Sequence, residues 1–383
     1  MIAPVKKILS DQVMIVNGRQ AVIELAESIV SDAADDMEGK EVRIFINPAV
    51  QAFWDMISML VARYPSLKIQ HLLVFDNSKN PDRDVINLKT LFSVLPFIRK
   101  SRNYLTGVFY NEVDKVFSET SIFPCFIVTE DTILECTSDC SAGRLIRDKN
   151  VVGLFVNRFD MLLRESLPLA KSYTDLADLL RFFIVFNSKV SDGDNYLLEV
   201  QASVLRYMTP KIMMKLLDGG TDPSLKTIIR NYINQETDIR TSKEKAARQC
   251  SFFTKSGIRK FLSKGIIHSI PDSICSEIPT EDAKTMLRLL IKDAREGGTQ
   301  VRMLDEDRLM IPEYLAISVT EKILGIAFYL PETGYSTIGI SERSITNAFY
   351  DYMSYLAGSE YCSGQEESAA WLESALKESE AGA

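Results

Sequence analysis

The chain has 383 residues, of which 46% are hydrophobic and 25% charged, a composition that excludes a wholly disordered or fibrous protein. With 52 acidic residues against 44 basic ones the net charge is −8, which argues against general polyanion binding, because phosphate contacts need clustered cations. The longest uncharged run covers only residues 44–54, and a membrane-spanning helix needs about 20 apolar residues.

Residues 19–37 place Ala21, Val22, Leu25, Ile29 and Val30 at helical spacing, and Gly39 stops that helix. A short strand follows at 42–46. Asn47-Pro48 is a helix start, with Asn as cap and Pro in the first turn. The helix it opens carries Val50, Phe53, Trp54, Ile57, Leu60 and Val61. A strand at 68–75, a helix at 85–99 and a strand at 104–110 continue the alternation. That order predicts a sheet covered by helices. Residues 126–129 and 132–136 read as a hairpin turned at Glu130-Asp131, and 150–165 as a helix.

From 172 to 298 the pattern reads as helical almost throughout, at 174–186, 196–207, 210–218, 224–235, 254–263 and 280–295. Strands return at 300–304 and 308–311, then as a hairpin at 315–319 and 323–330, then at 336–340. A helix at 344–357 closes this part. Residues 363–383 read as a polar, acidic tail with one amphipathic turn around Trp371, Leu372, Ala375 and Leu376. The expected fold is α/β: two α/β halves with mixed sheets flank a helical insertion. The boundaries are 1–170, 171–298, 299–362 and an acidic tail, 363–383.

Two stretches resemble each other. Phe126-Ile-Val-Thr-Glu-Asp-Thr-Ile-Leu-Glu precedes a helix with Phe155, Phe159, Leu162 and Leu163. Ile317-Ser-Val-Thr-Glu-Lys-Ile-Leu-Gly precedes one with Phe349, Tyr352, Tyr355 and Leu356. Either the two halves are an internal repeat, or Val-Thr-Glu is simply a common hairpin sequence.

Motifs with chemistry are sparse. His71 and His268 are the two histidines, and neither sits in a metal-ligand spacing. His71 lies in an apolar strand and reads as a core residue. Of six cysteines only Cys136 and Cys140 are close, and reduced thiols are the expectation. Ser141 lies outside any G-x-S-x-G elbow, and neither a phosphate-binding loop nor a G-x-G-x-x-G fingerprint occurs. Gly219-Gly220 reads as a helix stop. Asp192-Gly-Asp194-Asn195 lacks the later positions of a calcium loop. Asp305 to Asp307 reads as a hairpin tip. No catalytic residue, metal or cofactor is assigned.

One segment opposes the overall charge. Residues 240–268 hold eight cations and a single anion, Glu244, interleaved with Phe252, Phe253 and Phe261. Lys243, Lys245, Arg248, Lys255, Arg259 and Lys260 are the candidate anion-binding face. The bland alternative is a solvated helical face neutralised by acidic neighbours.

The run Phe253-Thr-Lys-Ser-Gly-Ile-Arg-Lys-Phe-Leu-Ser-Lys-Gly265, followed by Ile270-Pro271 and a helix from Thr280, resembles a segment in the effector regions of helix-turn-helix transcriptional regulators of gut Firmicutes. That resemblance implies a regulatory, ligand-sensing role. No DNA-binding helix-turn-helix precedes the region, since Gln12 to Met37 is too short for the usual five-helix bundle, so direct DNA binding is not expected. The two-half layout also resembles a degenerate phospholipase D-like fold. The H-x-K-x-x-x-x-D motif of that family is missing, because Leu73 and Ile270 stand where its lysines would be. The expectation is a cytoplasmic, non-catalytic regulatory or ligand-sensing module. Its partner would be a small molecule or a protein, with no membrane association and with a homodimer allowed. The alternatives are an enzyme with a dispersed carboxylate site and a structural interaction protein.

Overall fold

The computed structural model describes residues 13–35, 41–46, 50–78, 82–119, 121–174, 176–189, 194–209, 211–212, 223, 226–232, 234, 248–267, 277–330 and 334–381. The chain divides into two compact units, Met1–Lys171 and Ser172–Ala383. Each is α/β with a mixed sheet, as the alternation of elements predicts.

The first unit runs β1 (Val13–Asn17), α1 (Arg19–Asp35), β2 (Glu41–Phe45), α2 (Gln51–Arg63), β3 (Lys68–Asp76), α3 (Arg83–Lys100) and β4 (Tyr104–Asn111). Then come β5 (Cys125–Val128), β6 (Ile133–Cys136), β7 (Ala142–Ile146), α4 (Lys149–Glu165) and β8 (Leu167–Pro168). Its sheet order is β1-β7-β6-β5-β2-β3-β4-β8. Strands β2, β3 and β4 are parallel, and β5, β6 and β7 continue the sheet antiparallel. The buried parallel strands read as near-continuous apolar runs, as helices on both faces require.

The second sheet has the order β12-β11-β10-β13-β14-β15-β9. Its strands are β9 (Ala170–Tyr173), β10 (Asn195–Leu198), β11 (Gln249–Phe253), β12 (Thr299–Met303), β13 (Leu315–Val319), β14 (Leu324–Leu330) and β15 (Gly334–Ile340). The helices are α5 (Leu176–Lys189), α6 (Lys255–Lys264), α7 (Thr280–Glu296), α8 (Arg343–Ala357) and α9 (Gln365–Ala381). Strands β10, β11 and β12 are parallel, and β13, β14 and β15 continue antiparallel.

The two sheets therefore share one plan, which favours the internal-repeat alternative for the two similar stretches. Three parallel strands lead into an antiparallel meander, and the unit's opening strand lies beside the last strand of that meander. The matching turns close alike: Thr129 N–H donates to Thr132 O, and Thr320 N–H to Ile323 O, each at 2.9 Å. The matching helices α4 and α8 are capped alike. Asp148 accepts from the backbone of Asn150 and Val151, and Glu342 from that of Ser344 and Ile345.

Several elements differ from the pattern-based reading. Residues 196–207 are not a helix; β10 is followed by a 3-10 turn at Leu205–Tyr207. Strand β11 lies inside the stretch read as helical. A strand has period two and this one is buried on both faces, so no helical stripe or clean alternation marks it. Residues 308–311 are turn and irregular chain. The tail is largely helix α9, whose Ser368, Ala369, Leu372, Ala375 and Leu376 are buried against a core that includes Phe253, Leu287, Ile291 and Val301. The Asn47-Pro48 start, the 210–218 helix for the most part, Gly219-Gly220, Asp192 and His268 lie outside the described residues. Among the described residues no helix is long and apolar enough to cross a membrane.

Candidate functional site

Alternate residues of a strand share a face. On one face of the second sheet stand Asn195, Leu197 and Glu199 along β10 and its continuation. The register places Gln249 beside Asn195, and Ser251 and Ser318 on either side of Leu197. It then brings Ala316 beside Ala327, Gly325 beside Gly339, Thr337 beside Ala327, and Tyr329 beside Tyr335. Most of these side chains are small or polar, so the face leaves room. Helix α5 roofs it with Phe182, Phe183 and Phe186. Phe182 approaches the sheet where it has no side chains: a Cβ added to Gly325 would lie 2.6 Å from its ring.

The segment after Glu199 closes the side. Ser203 N–H donates to Ser251 Oγ at 2.9 Å, and Thr254 Oγ1 donates to Val200 O at 2.9 Å. Tyr207 anchors the turn by donating to Asp293 Oδ2 at 2.6 Å. The result is a pocket open to solvent, lined from α5 and from β10, β11, β13, β14 and β15.

Its polar groups separate along the strands. Arg206, 8% exposed, donates through Nη1 to Gln249 Oε1, at the Asn195 end. Glu199, 7% exposed, stands four residues further along, about 13 Å by strand rise. Tyr329 and Tyr335 accompany it, with ring centroids 5.1 Å apart, and the Tyr335 hydroxyl bonds Thr337. Burial pushes the Glu199 carboxyl up to about 8. Burial, with Tyr335 and Glu199 adding to it, also holds Tyr329 well above the ordinary phenol range. Both groups are therefore neutral donors at pH 7.

In the first unit the same plan carries larger apolar residues at several positions of this face. Aligning Val128 with Val319 through their pairing registers sets Ile44 where Leu197 stands and Ile46 where Glu199 stands. It also sets Ile69 at Gln249, Ile127 at Ser318, Leu134 at Gly325 and Leu145 at Gly339. All six first-unit residues are buried aliphatics. The fold thus tolerates aliphatics here, and the second unit has small or polar residues at five of these positions.

The charged candidates from the sequence sit elsewhere. Lys243 and Lys245 lie outside the described residues. Arg248 is exposed just before β11. Lys255, Arg259 and Lys260 share α6, where Lys260 pairs with Glu313 at 2.5 Å and Arg259 lies 5.8 Å from the Trp371 ring centre. Glu306 accepts from the α6 backbone at Lys255 N (2.9 Å) and Ser256 N (3.3 Å), so a carboxylate of the same chain fills that helix N-terminus. The acidic tip Asp305–Asp307 thus supports α6. His71 is fully buried, its Nδ1 2.6 Å from the Tyr104 hydroxyl, and burial lowers it to about 3. Cys136 and Cys140 place their sulfurs 3.8 Å apart. Among the described residues no three His, Cys, Asp or Glu side chains gather as a metal site.

The cavity residues Glu199, Arg206 and Gln249 fall in the stretch read as helical, which hid their convergence. The available signal was Ser318 and Gly325 at strand positions whose repeat partners, Ile127 and Leu134, are large.

No family model matches the chain, and no curated protein matches it. Solved structures with some likeness include TrmBL2, an archaeal chromatin protein with a novel mode of DNA binding. It is 15% identical over 44% of this chain and 57% of its own, with a TM-score of 0.26. Another is phosphatidylserine synthase from Haemophilus influenzae, 9% identical over 97% of this chain and 95% of its own, with a TM-score of 0.28. At such scores neither likeness bears on function.

Proposed function

We propose that the second unit is a ligand-sensing module of a regulatory protein, with the cavity under α5 as its small-molecule site. One observation carries this reading: the repeat partner of the cavity face holds the buried aliphatics Ile44, Ile46, Ile69, Ile127, Leu134 and Leu145, whereas at five of these positions the second unit has Glu199, Gln249, Ser318, Gly325 and Gly339, the first four lining its pocket. An unfilled, partly polar cavity lowers stability relative to packed aliphatics, so a role for the space is the economical explanation. The groups that converge there can orient a ligand by hydrogen bonds while the phenylalanines bury its body.

The test is a thermal-shift screen of a small-molecule library against the wild type and Ala327→Trp, which fills the cavity from its floor. Compounds that stabilise the wild type and not the variant are expected. A library that stabilises neither protein, or both equally, overturns the reading.

A further inference from the structure

We infer that the cavity selects an organic monoamine, seating its ammonium between the Glu199 carboxylate and the rings of Tyr329, Tyr232 and Phe183; this rests on the ligand-sensing reading above. Glu199 lines the cavity, and among the described residues no hydrogen bond or ion pair engages its carboxyl. Its repeat partner is Ile46, so the fold itself does not require a carboxyl there. Phe183 and Tyr232 pack with ring centroids 5.7 Å apart, and both line the cavity with Tyr329. Aromatic faces beside a carboxylate are the chemistry that holds ammonium groups. A cation beside a buried carboxylate favours its ionised form, and the ligand supplies it.

Tyr329 from β14 lies within electrostatic reach of Glu199, with Tyr335 from β15 against it, and burial holds both in the phenol form. Arg206, engaged with Gln249 beside Asn195, is the charged group at the opposite end, so a second cation at that end is disfavoured. The rest of the ligand is therefore an uncharged or anionic body lying under Phe182 and Phe186.

Pairing with an ammonium stabilises the ionised form of Glu199, so binding releases one proton wherever the free protein holds Glu199 protonated. Affinity for an amine must then rise up to about ten-fold per pH unit as pH approaches 8 from below, where Glu199 in the free protein deprotonates on its own.

The experiment is calorimetric titration of the full chain with phenethylamine, 2-phenylethanol and 3-phenylpropanoate between pH 6 and 8. The amine is expected to bind at least ten-fold more tightly than the alcohol at pH 8, with release of about one proton at pH 6.5. Glu199→Gln should bring the amine down to the alcohol's affinity. The wild-type pH dependence serves as the second readout if that variant does not fold. Failure of phenethylamine to bind, equal affinities for amine and alcohol, or a flat pH profile overturns the inference. Binding of the alcohol or the acid that is lost in Ala327→Trp overturns it too, but leaves the ligand-sensing reading standing. If neither these probes nor any library compound stabilises the wild type, both fall.

Discussion

Replacing Glu199 with glutamine is expected to make the protein more stable at alkaline pH, an unusual outcome for a change at a buried position. The carboxyl ionises near pH 4.5 in an unfolded chain and near 8 in the folded one. Its folded value is raised, so its contribution is intact below pH 4.5 and is lost as pH climbs to 8. The loss is about 1.4 kcal/mol per pH unit, or roughly 5 kcal/mol across the window. Glutamine keeps the shape of the protonated carboxyl and never ionises. The variant and the wild type should therefore unfold alike at pH 4.5 and diverge steadily until pH 8, in favour of the variant. Urea unfolding followed by tryptophan fluorescence measures this, since Trp371 reports the second unit and Trp54 the first. His71 acts in the other sense, because burial lowers its value to about 3 and its contribution is lost as pH falls below 6.5. It is present in both proteins and cancels in the difference. Parallel pH profiles for the two proteins would refute the reasoning, since they would mean that Glu199 is solvated or paired.

Leu372→Ala, in α9, removes a side chain with 0% exposure. It should cost about 2–5 kcal/mol and lower the melting temperature of the second unit by several degrees in calorimetry; an unchanged value would return residues 363–383 to the status of a tail. Trp54→Ala should cost about 3–5 kcal/mol in the first unit, because Trp54 stacks between His71 and Phe97, with ring centroids 5.3 and 6.0 Å away. A melting temperature equal to the wild type would contradict its place in that core. Gly257→Ala would set a methyl 1.9 Å from Val200 O, so the chain flanking Glu199 must shift, at roughly 1–3 kcal/mol. Denaturant unfolding with no loss would show that this loop is free to move.

The fold was largely legible where period and punctuation agree. The strands at Lys68–Asp76 and Tyr104–Asn111 stand out as apolar runs, and the hairpins around Thr129 and Thr320 carry the same turn. The likeness between those hairpins was the visible part of a plan that both sheets share. Strand β10 was not legible, because Tyr196, Leu197 and Leu198 are all apolar and four residues cannot separate period two from period 3.6. Helix α9 was hidden by its composition: Glu366, Glu367, Glu373, Glu378 and Glu380 look like a tail. In the fold Arg295 meets Glu366 and Glu373, and Arg288 meets Glu380, so part of that charge is answered from α7. The site was the least legible part. Its residues come from strands and a turn far apart in sequence, and their types are ordinary one by one. The basic segment drew notice because charge runs are local in sequence, while a cavity is defined by what its neighbours lack.

The claim that the second unit's cavity holds a small molecule is tested most directly by native mass spectrometry after the purified chain has been mixed with a cell extract and desalted. The account predicts a non-covalent small-molecule adduct on the wild type that is absent from Ala327→Trp. A bare wild-type chain, or the same adduct on both proteins, would contradict it.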